Sequence, residues 1–137
     1  MKEGFNIIEK ITLTTDYQSL VDVENLVERV CQSLGVQDDA YGNVLISVTE
    51  AVNNAICHGN KNDANLTIEV GVGDHTDAFC FRICDQGDGF DYSNLPDPTA
   101  PENILKENGR GIFLMKNLAD EIAFNDKGNE VTIYFSK

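Results

Sequence analysis

Glu50 and Asn54 stand four positions apart in the stretch SVTEAVNNAICHGN, Ser47 to Asn60. If this stretch is helical, their side chains can meet within about 5–6 Å of each other. A carboxylate and an amide carbonyl are hard oxygen donors suited to Mg²⁺, and a carboxylate beside that ion can also serve as a general base. Ser47 and His58 follow the same intervals, and between Val44 and His58 the chain carries one acid and no Lys or Arg. A solvated helix face is normally richer in charge, so the stripe reads as the floor of a pocket. Judged alone, it is equally a partly exposed helix face or an Asn satisfied inside the core.

Two further clusters could complete such a pocket. In CDQGDGFD, Asp85 leaves the end of an apolar run and is followed by Gly87 and Gly89, whose missing side chains let the backbone turn tightly against a ligand. An aspartate there can accept a hydrogen bond from an exocyclic amine such as adenine's; an ordinary turn has the same composition. In NGRGIFLMKNL, Gly109, Arg110 and Gly111 open directly into a helical pattern. Free backbone N–H groups at a positive dipole end suit phosphate, with Arg110 and Lys116 adding charge; a glycine-hinged loop entering a core helix would look similar. The chain has no G-x-x-x-x-G-K-[ST] loop, no full dinucleotide fingerprint and no H-R-D/D-F-G kinase set.

The elements that must position these residues can be read from periodicity. Phe5–Thr15 alternates as a strand. Leu20, Val23, Leu26, Val27, Val30, Cys31 and Leu34 keep helical spacing, with Gly35 as the stop. A second helix is predicted from about Asp39 to His58, stopped by Gly59, with Val44, Val48, Ala51, Val52, Ala55 and Ile56 facing the core. Strands at about Asn65–Val72 and Ala78–Asp85 form a hairpin around GDHTD. From Gly87 to Gly111 all three prolines and four of the eleven glycines interrupt regular structure, which suggests a functional loop of the lid type. A short helix carrying Met115 and Leu118 follows, then strands near Glu121–Asn125 and Glu130–Phe135 around DKGN, where Gly128 can take positive φ. This order, β-α-α-β-β-lid-α-β-β, implies an α+β fold in one domain spanning residues 1–137. The sheet is expected to be mixed or antiparallel, with helices on one face.

The formal net charge is −13, from 23 acids against 10 Lys and Arg. That opposes binding to nucleic acid or to an anionic membrane and favours a basic protein partner. A triphosphate would approach such a surface only with a divalent cation and backbone amides to neutralise it. No 18-residue apolar run or signal-peptide pattern is present, so a soluble, cytoplasmic protein is expected. Cys31, Cys57, Cys80 and Cys84 lack zinc-site spacing. In a strand, Cys80 and Cys84 would share a face but lie about 13 Å apart, so all four thiols are expected to be reduced.

Taken in order, EAVNNAICHGN, DQGDGF and NGRGIFLMKNLADEI resemble the N-box, G1 box and G2 box of the histidine-kinase-like ATPase superfamily, whose fold is the Bergerat two-layer α/β sandwich. The chain is most similar to its anti-sigma-factor serine/threonine kinases, over nearly its whole length, including a lid-type segment PDPTAPEN. The resemblance implies ATP and Mg²⁺ as ligands. Glu50 then corresponds to the carboxylate that activates the acceptor hydroxyl, Asn54 to the Mg²⁺ ligand and Asp85 to the adenine-reading aspartate. Gly87 and Gly89 shape the adenine pocket, while Gly109, Arg110 and Gly111 contact phosphate. Where many members have Thr after the glycine of the late hairpin, this chain has Asn129, which is left to supply the polar group beside adenine. The resemblance places His58 at the end of the N-box helix instead of making it a phosphoacceptor. It implies an anti-anti-sigma (STAS-type) protein as phosphoacceptor, a sigma factor as alternate partner, and room for a homodimer. A nucleotide-gated module that sequesters its partner without phosphotransfer is the competing function.

Overall fold

The structure, a computed structural model, describes residues 1–88 and 114–137. Strand β1 (Asn6–Thr14) leads into helices α1 (Gln18–Leu34) and α2 (Asp38–Asn54), and α2 passes into a π turn over Ala55–Gly59. Strands β2 (Thr67–Asp74), β3 (Ala78–Cys84), β4 (Glu121–Phe124) and β5 (Glu130–Ser136) follow. Residues 114–118 are helical. The expected lid, together with Gly89, Gly109, Arg110 and Gly111, lies outside the described residues.

The strands form one sheet in the order β1-β2-β3-β5-β4, and every pairing among them is antiparallel. The sheet is therefore simpler than the mixed arrangement that the element order also allowed. Its register carries a row of apolar residues, Ile11, Val70, Ile83, Val131 and Phe124, across all five strands. Because side chains alternate between faces of a strand, this row and its neighbour through Val72, Phe81, Ile133 and Ile122 make one apolar face. Helix α1 supplies Val23, Leu26, Val27 and Val30 to the same core, and α2 supplies Val44, Val48, Ala51 and Val52. Helices thus cover the apolar face, giving the two-layer α/β sandwich. Burying these side chains contributes roughly 1.5–3 kcal/mol each before chain entropy is set against it.

The opposite face is polar. Arg82 lies between Glu69 and Glu130 at 3.6 and 3.7 Å, and Lys10 reaches Glu69 at 3.3 Å. Cys80 and Cys84 share this face with Arg82, and all four cysteines are free thiols. Burial pushes the thiols of Cys31, Cys80 and Cys84 up to about 11, which keeps them protonated and unreactive at neutral pH.

The second helix differs from its expected form at its C-terminal end. The α geometry stops at Asn54, and the turn beyond it widens so that the Asn60 N–H reaches back five residues to the Ala55 carbonyl at 2.8 Å. The Asn62 N–H then closes on the Ile56 carbonyl at 2.8 Å, while Lys61 and Asn62 take positive φ. Such widened turns recur at functional sites. Here the Asn60 side chain, held by Thr15, Thr67 and Gln86, draws the end of the helix out of α geometry.

Candidate functional site

The end of α2 is tied to the end of β3 through Asn60. Its side chain is buried, with 2% exposure, and makes three hydrogen bonds. The Nδ2 group donates to Thr15 Oγ1 at 2.9 Å and to the Thr67 carbonyl at 3.0 Å, and Oδ1 accepts from the Gln86 N–H at 2.8 Å. Asn60 thereby fixes the backbone on which Asp85 sits. Asn60→Ala leaves buried donors and acceptors unmatched, each costing about 1–3 kcal/mol. The expected destabilisation is about 2–4 kcal/mol, read as a lower midpoint in urea; a midpoint within error of the wild type would remove Asn60 as the anchor.

The close approach that this anchor enforces explains two glycines. A Cβ on Gly59 would lie 2.3–2.8 Å from the carboxylate atoms of Asp85, and a Cβ on Gly87 would lie 1.9 Å from the Gly59 carbonyl oxygen. Gly59, expected only to end a helix, is therefore the surface against which the Asp85 carboxylate rests. One carboxylate oxygen, Oδ1, also accepts from the Gly87 N–H at 2.8 Å. Burial raises the Asp85 pKa above the ordinary carboxylate value; the Gly87 hydrogen bond and the charge of Lys127 oppose that rise without cancelling it.

The β4–β5 turn closes the far side. Its Gly128 adopts φ 81°, as the DKGN composition predicts. Asn129 is bound to the Asp85 strand end twice: its carbonyl accepts from the Asp85 N–H at 2.9 Å, and its Nδ2 donates to the Asp85 carbonyl at 3.5 Å. Asn54, Gly59, Asp85, Met115, Phe124 and Asn129 thus line a common pocket. Its lining combines apolar Ala51, Ile83, Met115 and Phe124 with polar Asn54, Asp85, Asn129 and Glu130, the mixture of surface that a heteroaromatic ring with polar edges needs.

Among the expected site residues, Asn54, Asp85 and Asn129 come together here, and Gly87 supports Asp85 from behind. Glu50 lies one turn before Asn54 on α2, is half-buried, and is not among the residues lining this pocket. The expected polar stripe is not a single wall. Ser47 is fully buried and donates to the Asn43 carbonyl of its own helix at 2.7 Å, whereas His58 is exposed. The reason is angular: four-residue steps drift around a 3.6-residue helix, so Ser47 rotates towards the core. Gly59 is legible in the sequence only as a helix stop, and the signal for Asn60 is no more than the GN pair that ends the stripe.

The Asn54 Nδ2 atom is buried and has no hydrogen-bond partner among the described residues. An orphaned amide in a pocket wall lacks the satisfaction that folding normally demands. Rotating the amide by half a turn exchanges its nitrogen for its oxygen at the same place, so the group can present an oxygen donor to a hard cation. This chemistry fits Mg²⁺. Among the described residues no cluster of three or more His, Cys, Asp or Glu could hold an ion by itself. The remaining ligands of such an ion would then be phosphate oxygens and water, as is usual for Mg²⁺ in nucleotide sites.

Known proteins resemble this chain over nearly its whole length. A family model described as the histidine kinase-like ATPase domain matches residues 13–135. The chain is 28% identical to serine-protein kinase RsbW of Bacillus subtilis (strain 168), the match covering 100% of this chain and 88% of that protein. It is 33% identical to serine-protein kinase RsbW of Staphylococcus aureus (strain JH9), covering 99% of this chain and 87% of that one.

Proposed function

The chain belongs to the histidine kinase-like ATPase family, and from that premise we propose that it is an ATP-dependent serine/threonine protein kinase. Its acceptor in this reading is a STAS-type anti-anti-sigma protein, and its alternate partner is a sigma factor that it holds as an anti-sigma factor. The observation that carries the proposal is the meeting of Asn54, Asp85 and Asn129 around one pocket in a chain that matches serine-protein kinases over its whole length.

In this reading the adenine ring lies between Met115 and the apolar side of α2, with its amine donating to Asp85. Gly59 and Gly87 leave room for that contact because neither carries a side chain. The phosphates extend towards Asn54, which would hold Mg²⁺ with its amide oxygen. When bound, that ion neutralises phosphate charge, which a chain of net charge −13 must otherwise repel. Glu50, one helical turn from Asn54, orients the acceptor hydroxyl and takes its proton as the oxygen attacks the γ-phosphorus; ADP leaves with the bonding pair. Gly89, Gly109, Arg110 and Gly111 complete the proposal as residues of the adenine pocket and phosphate site.

The domain acts as one unit over residues 1–137 and works in the cytoplasm. No helix among the described residues is long and apolar enough to cross a membrane, and the acidic charge gives no support to direct nucleic-acid binding. Incubated with a STAS-type protein that it binds and with γ-labelled ATP, the wild type is expected to produce phosphoserine or phosphothreonine on that partner. Binding of the partner with no transferred label would replace the kinase with a nucleotide-gated sequestering module.

A further inference from the structure

Asn125 lies outside the pocket yet is bonded to every residue of the turn that faces it. Its Oδ1 accepts from the N–H groups of Gly128, Asn129 and Glu130 at 2.8, 3.1 and 3.2 Å. Its Nδ2 donates to Asn129 Oδ1 at 2.6 Å. That last bond has a consequence for recognition. An amide has one oxygen and one NH₂ group; with the Asn129 oxygen engaged by Asn125, the Asn129 NH₂ is turned to the Asp85 side, where it reaches the Asp85 carbonyl at 3.5 Å. One of its hydrogens serves that carbonyl, which leaves the other for a ligand.

We propose that Asn125 is a positioning residue for nucleobase selection: it locks the Asn129 amide so that the pocket offers an acceptor, Asp85, beside a donor, Asn129 Nδ2. The inference rests on the ATP reading above and extends it. Adenine's pairing edge carries an amine donor next to a ring-nitrogen acceptor, the complement of that pair. Guanine's edge carries a carbonyl acceptor at the corresponding place, followed by two N–H donors. Guanine would set its carbonyl against the Asp85 carboxylate and its ring N–H against the Asn129 amine, so both contacts would be repulsive. A site built on hydrogen bonds rejects an analogue that leaves its buried groups mismatched.

The lock can be reversed without dismantling the turn. In Asn125→Asp one carboxylate oxygen still accepts from the three backbone N–H groups, but the other can only accept from Asn129. The Asn129 amide must then rotate, turning its oxygen towards the base, where it opposes adenine's ring nitrogen and accepts from guanine's ring N–H. Asn129→Asp reaches the same state from the other side, because a carboxylate held by Asn125 Nδ2 also faces the base as an acceptor.

The test is calorimetric titration of wild type and both variants with Mg²⁺-ATP and Mg²⁺-GTP, alongside thermal melts. The ATP-over-GTP affinity ratio is expected to fall by at least about tenfold in both variants, the scale of one hydrogen-bonded base edge. Melting temperatures close to the wild type would accompany that fall. A wild-type preference for ATP that persists in folded variants would overturn the role of Asn125 and leave the ATP site standing. An equal loss of both nucleotides would also overturn it, since that is what a purely structural turn residue produces. A wild type with no preference for ATP would bring down the adenine reading of Asp85 and this inference together.

Discussion

Glu50→Ala is expected to lower phosphotransfer to a bound acceptor protein by about 10²–10⁴-fold, the usual contribution of a positioned general base, while ATP affinity stays within a few-fold of the wild type. The separation follows from position. Asn54 faces the pocket and Glu50, one turn earlier on α2, does not. The two share a helix face but meet different parts of the reacting system. Loss of an interaction made only in the transition state lowers kcat and kcat/KM together. Asn54→Ala should instead weaken nucleotide binding in the presence of Mg²⁺ and have little effect in its absence. Single-turnover transfer with labelled ATP, paired with calorimetry, reads both quantities. A Glu50→Ala variant that transfers phosphate at the wild-type rate would return the residue to an ordinary helix surface.

The reach of the sequence can be judged from these same residues. Alternation and helical spacing located all five described strands and both helices to within about two residues, except at the end of α2, where the helix expected to run to His58 leaves α geometry after Asn54; burial on one face imposes a period on the chain. Gly35 is legible as a helix stop and Gly128 as a positive-φ turn position, and both adopt positive φ, at 70° and 81°. Strand order was not legible. Period alone says which face is buried, not which strand lies alongside, so the insertion of β5 between β3 and β4 had no signature.

What the sequence missed most clearly is what the site depends on at short range. The π turn after Asn54 has no compositional mark, since it results from Asn60 being pulled into the sheet by Thr15, Thr67 and Gln86, residues 45, 7 and 26 positions away. Gly59 looked like a helix stop because glycine serves that purpose often; its true constraint is the Asp85 carboxylate, visible only in three dimensions. Asn125 was passed over for the same reason. Its hydrogen bonds are local, yet their importance comes from where Asn129 points, which depends on β3 lying beside β5. Box motifs place the groups that touch a ligand; the residues that hold those groups are set by the fold.

Asp85→Asn is the second large effect, and it should move binding and stability in opposite directions. Removing the carboxylate takes away a charge-assisted hydrogen bond to the adenine amine, worth about 1.5–3 kcal/mol, or roughly 10–150-fold in affinity. An Asn that keeps its oxygen on the Gly87 N–H also aims its own NH₂ at that amine, which deepens the loss. The folded protein, by contrast, should gain. Burial raises the Asp85 pKa above 3.8, so the native state favours the neutral carboxyl. The stability contributed by that neutral form is complete below 3.8 and is lost as pH rises through the higher native value. At neutral pH the wild type therefore bears the full cost of a partly buried charge, which Asn does not carry. The variant should melt at a higher temperature at pH 7, with its advantage shrinking as pH falls through the raised pKa towards 3.8. Such opposition marks a residue kept for its ligand at the expense of the fold. If Asp85→Asn binds ATP as tightly as the wild type, Asp85 does not read the base; if it binds weakly and also melts lower at pH 7, the carboxylate serves the fold and the adenine assignment loses its support.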